Sequence, residues 1–180
     1  NIAELESSGH EIFAMPDERG PLPEGANTAE GIVCNGLFLH HDLDAFPALQ
    51  FVQLTSAGLD RAPVEQLEAR GVALFNAKGV YAIPIAEWVV MSILQFCKQA
   101  RFFADNQAQH VWEKHRGLVE LSGKTACIVG LGDIGIETAK RLKAFGVSII
   151  GVNTTGRPSP HADRTVGSAE LLDVLPSADF

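Results

Sequence analysis

Gly130-Leu131-Gly132-Asp133-Ile134-Gly135 follows the apolar run Thr125-Ala126-Cys127-Ile128-Val129 and opens an amphipathic segment, and this succession decides the fold. A GxGxxG run set between a strand and a helix is a dinucleotide-binding turn. Gly130 permits the tight turn, Gly132 lets a pyrophosphate approach bare backbone, and Gly135 lets the helix lie close against the strand. The start of the helix, with Asp133 and Ile134 in its first turn, then offers free N–H groups and a positive dipole end to the phosphates. Ile134, Thr138, Leu142 and Phe145 recur at helical spacing, and Gly146 supplies a left-handed stop. The apolar run Val147-Ser148-Ile149-Ile150-Gly151-Val152 completes a β-α-β unit. Gly130, Gly132, Asp133, Ile134 and Gly135 are therefore the expected dinucleotide-binding residues of this turn.

The end of the second strand bears on the choice of cofactor. An acidic residue there would bind the ribose hydroxyls of NAD and repel a 2′-phosphate. The chain instead has Asn153-Thr154-Thr155-Gly156-Arg157. Asn153 can bond a ribose hydroxyl without excluding phosphate, while Thr154, Thr155 and Arg157 can receive one. The expected cofactor is NAD or NADP, with the balance of groups favouring NADP.

Outward from this unit, 180 residues with 46% hydrophobic content suffice for one large or two small domains. No apolar stretch has the uncharged length of a membrane span, and the first residues lack a basic-then-apolar signal pattern. A cytoplasmic protein is expected. Fourteen basic against 22 acidic residues give a net charge of −8, which disfavours nucleic acid or an anionic membrane as partner. Cys34, Cys97 and Cys127 have neither a zinc spacing nor the makings of a disulfide framework, and no His/Cys/Asp cluster has metal-ligand spacing.

Upstream, strands alternate with helices, which implies a parallel sheet with helices on both faces. A helix is expected at 2–9 and strands at 11–15, 31–34, 51–54 and 72–75. A short helix at 42–46 and another at 63–70 lie between them. From Pro84 a long helix carries Ile85, Trp88, Val89, Ile93, Phe96, Cys97 and Ala100 as an apolar stripe, part of it wide enough to meet another subunit. A polar connector at 105–116 precedes the second sheet, so the boundary is placed near residue 90. Residues 168–175 read as a helix, and a further strand is expected to begin within 176–180.

Ser56-Ala57-Gly58-Leu59-Asp60, Asn76 with Gly79, Ile85-Ala86-Glu87, Arg101, Trp112 and Leu121-Ser122-Gly123-Lys124-Thr125 precede the GxGxxG in a characteristic order and spacing. Together they resemble the D-isomer-specific 2-hydroxyacid dehydrogenases, which include phosphoglycerate dehydrogenase and the glyoxylate/hydroxypyruvate reductases. The resemblance implies an α/β architecture: a flavodoxin-like parallel-sheet substrate domain at 1–90, lacking its first strand, then the first half of a Rossmann NAD(P)-binding domain at 91–180. It also implies a small 2-hydroxy or 2-oxo acid bound in the cleft between the domains, and a homodimer. By matching position, Ser56-Ala57-Gly58 resembles the backbone segment that holds the substrate carboxylate. Successive N–H groups in a glycine turn at the carboxyl end of a strand suit that task. Asn35-Gly36, at the end of a neighbouring strand, either lines the same cleft or is simply a favoured turn. Tyr81-Ala82-Ile83-Pro84 departs from the family's small polar residues, so that cofactor contact is not carried over.

The family passes a hydride between nicotinamide and the hydroxyl-bearing carbon, with an Arg on the carboxylate and a His, oriented by a Glu, moving the proton. No residue of this sequence matches that trio. It is expected beyond residue 180, which would make these residues a fragment that is inactive alone. The six histidines, His10, His40, His41, His110, His115 and His161, have no carboxylate at relay spacing and read as surface or structural residues. Two functions stand at this point: an NAD(P)-dependent oxidoreductase acting on a D-2-hydroxy acid such as 3-phosphoglycerate, glycerate or glycolate, or a non-catalytic dinucleotide-sensing binding protein of the corepressor type.

Overall fold

A computed structural model describes residues 2–180 and divides into two compact units, one running to Lys78 and one from Gly79 to Phe180. The division expected near residue 90 falls within a helix that packs in the second unit.

The first unit begins with α1 (Ile2–Ser7), closed by a left-handed Gly9. Its sheet contains β1 (Gly31–Cys34), β2 (Phe51–Leu54) and β3 (Ala73–Phe75), all parallel in the order β1-β2-β3. Gly31 stands beside Phe51, and Phe51 beside Ala73. Strand periodicity of two puts Ile32, Cys34, Val52 and Leu54 on one face, where they are buried with Leu67 of α2 (Val64–Ala69), Leu43 and Phe46. Val33, Phe51 and Phe75 lie on the opposite face and are exposed, so among the described residues helices do not cover both faces as expected. The expected short helix at 42–46 is a single 3₁₀ turn, Leu43–Ala45, preceded by another at Leu37–Leu39. The strand expected at 11–15 is irregular. Its composition suits a strand, but no neighbouring strand pairs with it among the described residues, and strand backbone needs such a partner.

The second unit is built on β4 (Thr125–Val129), β5 (Ser148–Asn153) and β6 (Arg164–Gly167), again parallel and in the order β4-β5-β6. Both faces are covered. The long helix α3 (Ala82–Cys97) packs on α5 (Asp133–Ala144), and Val90, Cys97, Ala139 and Leu142 close over Ala126 and Ile149. On the other face Ile150, Val152 and Val166 meet Val174 of α6 (Leu171–Val174). The buried residues of α3 are Ala82, Ala86, Val90 and Cys97; of the expected stripe Cys97 is buried and Ile93 packs against the core, while Ile85, Trp88 and Phe96 are exposed. Smaller side chains face α5 because the two helices lie close together.

Three further differences concern local geometry. The helix from Pro84 stops at Cys97, because Gln99 adopts a left-handed conformation, and α4 (Ala100–Ala108) starts afresh in what read as the approach to a polar connector. Strand β6 was not expected at all. Residues 168–175 form 3₁₀ turns on either side of the four-residue α6 rather than one helix. As expected, the last residues turn into the sheet. The N–H groups of Asp179 and Phe180 donate to Thr125 O, and Cys127 N–H donates to Phe180 O at 2.8 Å. These β4 residues alternate with the ones bonded to β5, so the chain has crossed from β6 to the other side of β4. That reversal of strand order is the switch point at which open α/β sheets bind ligands.

Two carboxylates pin this arrangement. Asp163 accepts from Lys143 Nζ at 2.8 Å and from Ile149 N–H at 2.7 Å, while Asp179 accepts from Lys124 Nζ and from Thr125 N–H at 2.9 Å each. These bonds hold both carboxyls below the ordinary carboxylate value, through Lys143 first for Asp163 and through the Thr125 N–H first for Asp179.

Candidate functional site

The turn between β4 and α5 shows why each glycine stands where it does. Gly130 has φ +102°, a conformation side chains rarely tolerate, and its N–H donates to Val152 O at 2.9 Å, fastening the turn to β5. A Cβ on Gly135 would run into the Gly130 carbonyl oxygen and lie 3.2 Å from Ile128 Cγ2, so helix and strand meet only through glycine. A Cβ on Gly132 would meet nothing within 4 Å: this glycine faces open space, as an approaching pyrophosphate requires. The helix beyond is 12 residues long, and Ile136 N–H donates to Gly132 O at 2.9 Å. The N–H groups of Asp133, Ile134 and Gly135 thus lack helical acceptors and face outward with the positive dipole end. The residues present fit a dinucleotide pyrophosphate. Behind them, Glu137 is gripped by Lys140 and Arg141 at 2.6 Å each, which holds its carboxyl below the usual range, and Arg141 also reaches Glu87 of α3 at 3.6 Å.

At the end of β5, Asn153 is committed to its own loop. Its Oδ1 accepts from the N–H groups of Thr155 and Arg157 at 3.1 Å each, and its Nδ2 donates to Arg157 O at 2.8 Å. The loop is tight: Gly156 has φ +70°, and a Cβ there would come within 3.0 Å of Gly167 N. Thr154, Thr155 and Arg157 project from it, exposed, and Arg157 forms no ion pair among the described residues.

In the first unit, the Ser56-Ala57-Gly58 turn directly follows β2. Its carbonyls are all engaged: Ser56 O accepts from Ala77 N–H at 2.9 Å, Ala57 O from Asn76 Nδ2 at 2.7 Å, and Gly58 O from Ser56 Oγ at 2.9 Å. The N–H groups of Ser56, Ala57 and Gly58 donate to nothing among the described residues. Carbonyls held away and amides left free make a nest for an anion. Asn76 matters here, as the side chain that shapes the turn.

The Asn35-Gly36 turn after β1 differs. Both of its N–H groups donate to the Glu18 carboxylate, Asn35 to Oε1 at 2.7 Å and Gly36 to Oε2 at 2.6 Å. Glu18 lies in the loop rich in proline and glycine, and His41 Nε2 lies 3.0 Å from its carbonyl oxygen. No local pattern pointed to this contact. Burial, with the Glu18 charge as a lesser cause, pushes the Cys34 thiol up to about 11, which keeps it protonated and unreactive.

No histidine pairs with a carboxylate among the described residues, and no cluster of three potential metal ligands occurs among them. His115 packs edge-on against Phe102 at 4.9 Å, and its Nδ1 accepts from Gly117 N–H, a structural role. Among the described residues no helix is long and apolar enough to cross a membrane.

Residues 17–115 match the family model for the D-isomer specific 2-hydroxyacid dehydrogenase catalytic domain, and residues 90–180 match the NAD binding domain of the same family. The D-3-phosphoglycerate dehydrogenase of Mycobacterium tuberculosis is 30% identical over 170 residues, covering 94% of this chain and 30% of that protein. A D-isomer specific 2-hydroxyacid dehydrogenase family protein from Aeromonas salmonicida superposes with TM-score 0.73 at 26% identity, over 87% of this chain and 50% of that one. An NADPH-dependent glyoxylate/hydroxypyruvate reductase from Sinorhizobium meliloti gives TM-score 0.68 at 27% identity, over 80% and 47%. The chain spans at most about half the length of these relatives. Two overlapping family models thus account for residues 17–180, and the chain belongs to the D-isomer specific 2-hydroxyacid dehydrogenase family.

Proposed function

We propose that the protein is an NAD(P)-dependent oxidoreductase acting on the CH–OH group of a D-2-hydroxy acid, with residues 1–90 serving the substrate and 91–180 beginning the cofactor domain. The observation that carries this reading is the Ser56-Ala57-Gly58 turn, with its carbonyls tied back and its amides free, in a chain that also holds a sterically complete GxGxxG turn. In this reading the amides of Ser56, Ala57 and Gly58 hold the substrate carboxylate and so orient the adjacent carbon. Gly130, Gly132, Asp133, Ile134 and Gly135 hold the pyrophosphate. When bound, the nicotinamide accepts or supplies the hydride. None of these 180 residues is assigned the part of the Arg, Glu or His of the family reaction.

NADP is favoured over NAD. The Asn153 amide spends its bonds on the loop, no acidic side chain stands at the end of β5, and Arg157, Thr154 and Thr155 project where a 2′-phosphate would sit. Asn153 then acts by shaping the loop rather than by grasping a hydroxyl. A homodimer is supported by the uncovered Ile85, Trp88 and Phe96 on α3, together with Trp112 at 94% exposure. The relatives reported above are named dehydrogenase or reductase, which favours the enzyme over the dinucleotide-sensing alternative.

The test is nicotinamide absorbance in the full-length protein with 2-oxo acids, alongside titrations with NADH and NADPH. Oxidation of NADPH with the tighter binding supports the proposal in full. A strong NADH preference overturns the cofactor assignment, and the absence of turnover with any 2-oxo acid overturns the enzyme.

A further inference from the structure

The turns after β1 and β2 are neighbours. Cys34 pairs with Leu54, and Thr55 N–H donates to Cys34 O at 2.8 Å, so Asn35-Gly36 lies one strand spacing from the free nest at Ser56-Ala57-Gly58. Both turns present backbone amides at the carboxyl end of a strand. One set is free, and the other is filled by Glu18.

The filled set has the make-up of an anion seat. Its two amides converge on one carboxylate, and a Cβ on the buried Gly36 would lie 3.6 Å from Glu18 Oε2 and 3.8 Å from Arg61 Cδ. Arg61, exposed and in no ion pair among the described residues, borders the seat with its stem. Glu18 is held from behind: Asp17 accepts two side-chain bonds from Arg19, Gly20 N–H donates to Asp17 O, and His41 engages the Glu18 backbone. Its carboxylate is thus held against two backbone amides, one strand spacing from the free nest.

We infer that Glu18 is a specificity residue that fills the second anion seat of the substrate unit, so that the substrate is a 2-hydroxy acid with the carboxylate as its sole anionic group, and phosphorylated 2-hydroxy acids are rejected. The inference rests on the assignment of Ser56-Ala57-Gly58 as the carboxylate nest. Rejection by a built-in like charge is the means by which a site discriminates when its attractive contacts are shared.

The experiment compares D-glycerate and 3-phospho-D-glycerate on the full chain, following the backbone amides of residues 56–58 by NMR titration. The wild type is expected to bind D-glycerate more tightly by on the order of tenfold or more, a ratio suited to one close like-charge pair. Glu18→Gln keeps the shape, and Glu18→Ala guards against an amide that refills the seat. Both are expected to bring the two ligands within about threefold of each other, chiefly through tighter binding of the phosphorylated acid. Glu65→Gln, which removes a charge from an exposed position on α2 outside the seat, should leave the ratio unchanged. Equal binding by the wild type, or an unchanged ratio in both Glu18 variants, overturns the inference while leaving the carboxylate nest standing. If neither acid shifts the 56–58 amides in any variant, the nest itself falls and the inference with it.

Discussion

Both units place a glycine turn at the carboxyl end of a parallel strand, yet the two turns are specified differently. After β4, each glycine answers a separate demand: Gly130 the left-handed conformation, Gly135 the approach of the helix to Gly130 O, and Gly132 an opening with no protein atom nearby. After β2, the turn is shaped by hydrogen bonds from Ala77, Asn76 and Ser56, and a Cβ on Gly58 would meet only the movable tip of Asp60, at 2.5 Å. One site is built by steric exclusion, the other by polar tethering. Exclusion leaves a mark in local sequence because only glycine satisfies it, whereas a tether can come from any donor within reach.

The contrast is open to breaking by substitution. Gly135→Val should have the largest effect: α5 must lift from β4, with about 3 kcal/mol lost in urea unfolding and dinucleotide affinity reduced by at least roughly 100-fold. A variant that keeps wild-type affinity would show that helix–strand contact does not set the site. Gly132→Ala separates binding from folding. Because nothing lies within 4 Å of the new methyl, the melting temperature should hold while cofactor affinity, read by fluorescence titration, drops about tenfold. Arg157→Ala should weaken NADPH by about tenfold and leave NADH unchanged; equal losses for both would assign Arg157 to the loop alone. Gly58→Ala is expected to be smallest, within about 0.5 kcal/mol of wild-type stability, since only an acidic side chain must swing aside.

Acid sharpens the same comparison from the side of stability. The carboxyls of Asp163 and Asp179 are depressed in the folded state, so their contribution is present above the ordinary value of 3.8 and is lost as pH falls through it towards the lowered folded values. Asp163→Asn should flatten the stability curve of the second unit in that range, measured by urea midpoints between pH 3 and 7, with its loss largest near neutral pH and smallest at pH 3.

The same division governs what the sequence made legible. The succession β4, α5, β5 was readable because apolar periodicity changes from two to about 3.6 at a glycine signature, and the structure places β4 at the expected residues. Strand β6 was not, since it is only Arg-Thr-Val-Gly and has Val166 as its one buried side chain. The break at Gln99 depends on a left-handed residue that is not glycine, for which composition gives no warning. On α3 periodicity located the helix together with Cys97 and Ile93 of its inner face, but took Ile85, Trp88 and Phe96 as inward where Ala82, Ala86 and Val90 are buried. Asn153 could have been read as a loop organiser, because Asn bonding its own backbone two and four residues on is a local habit. Glu18 could not: its partners are 17 and 18 residues away, joined only by the fold.

Cys34 turns this geometry into a clock. Burial pushes its thiol up to about 11, so the sulfur stays protonated at neutral pH while β1 stays packed. Alkylation of that sulfur therefore waits for the region to open, and its rate counts those openings, much as amide exchange would. A reagent that labels Cys34 thus reports how often β1 comes away from the core it shares with Val52, Leu54 and Leu67.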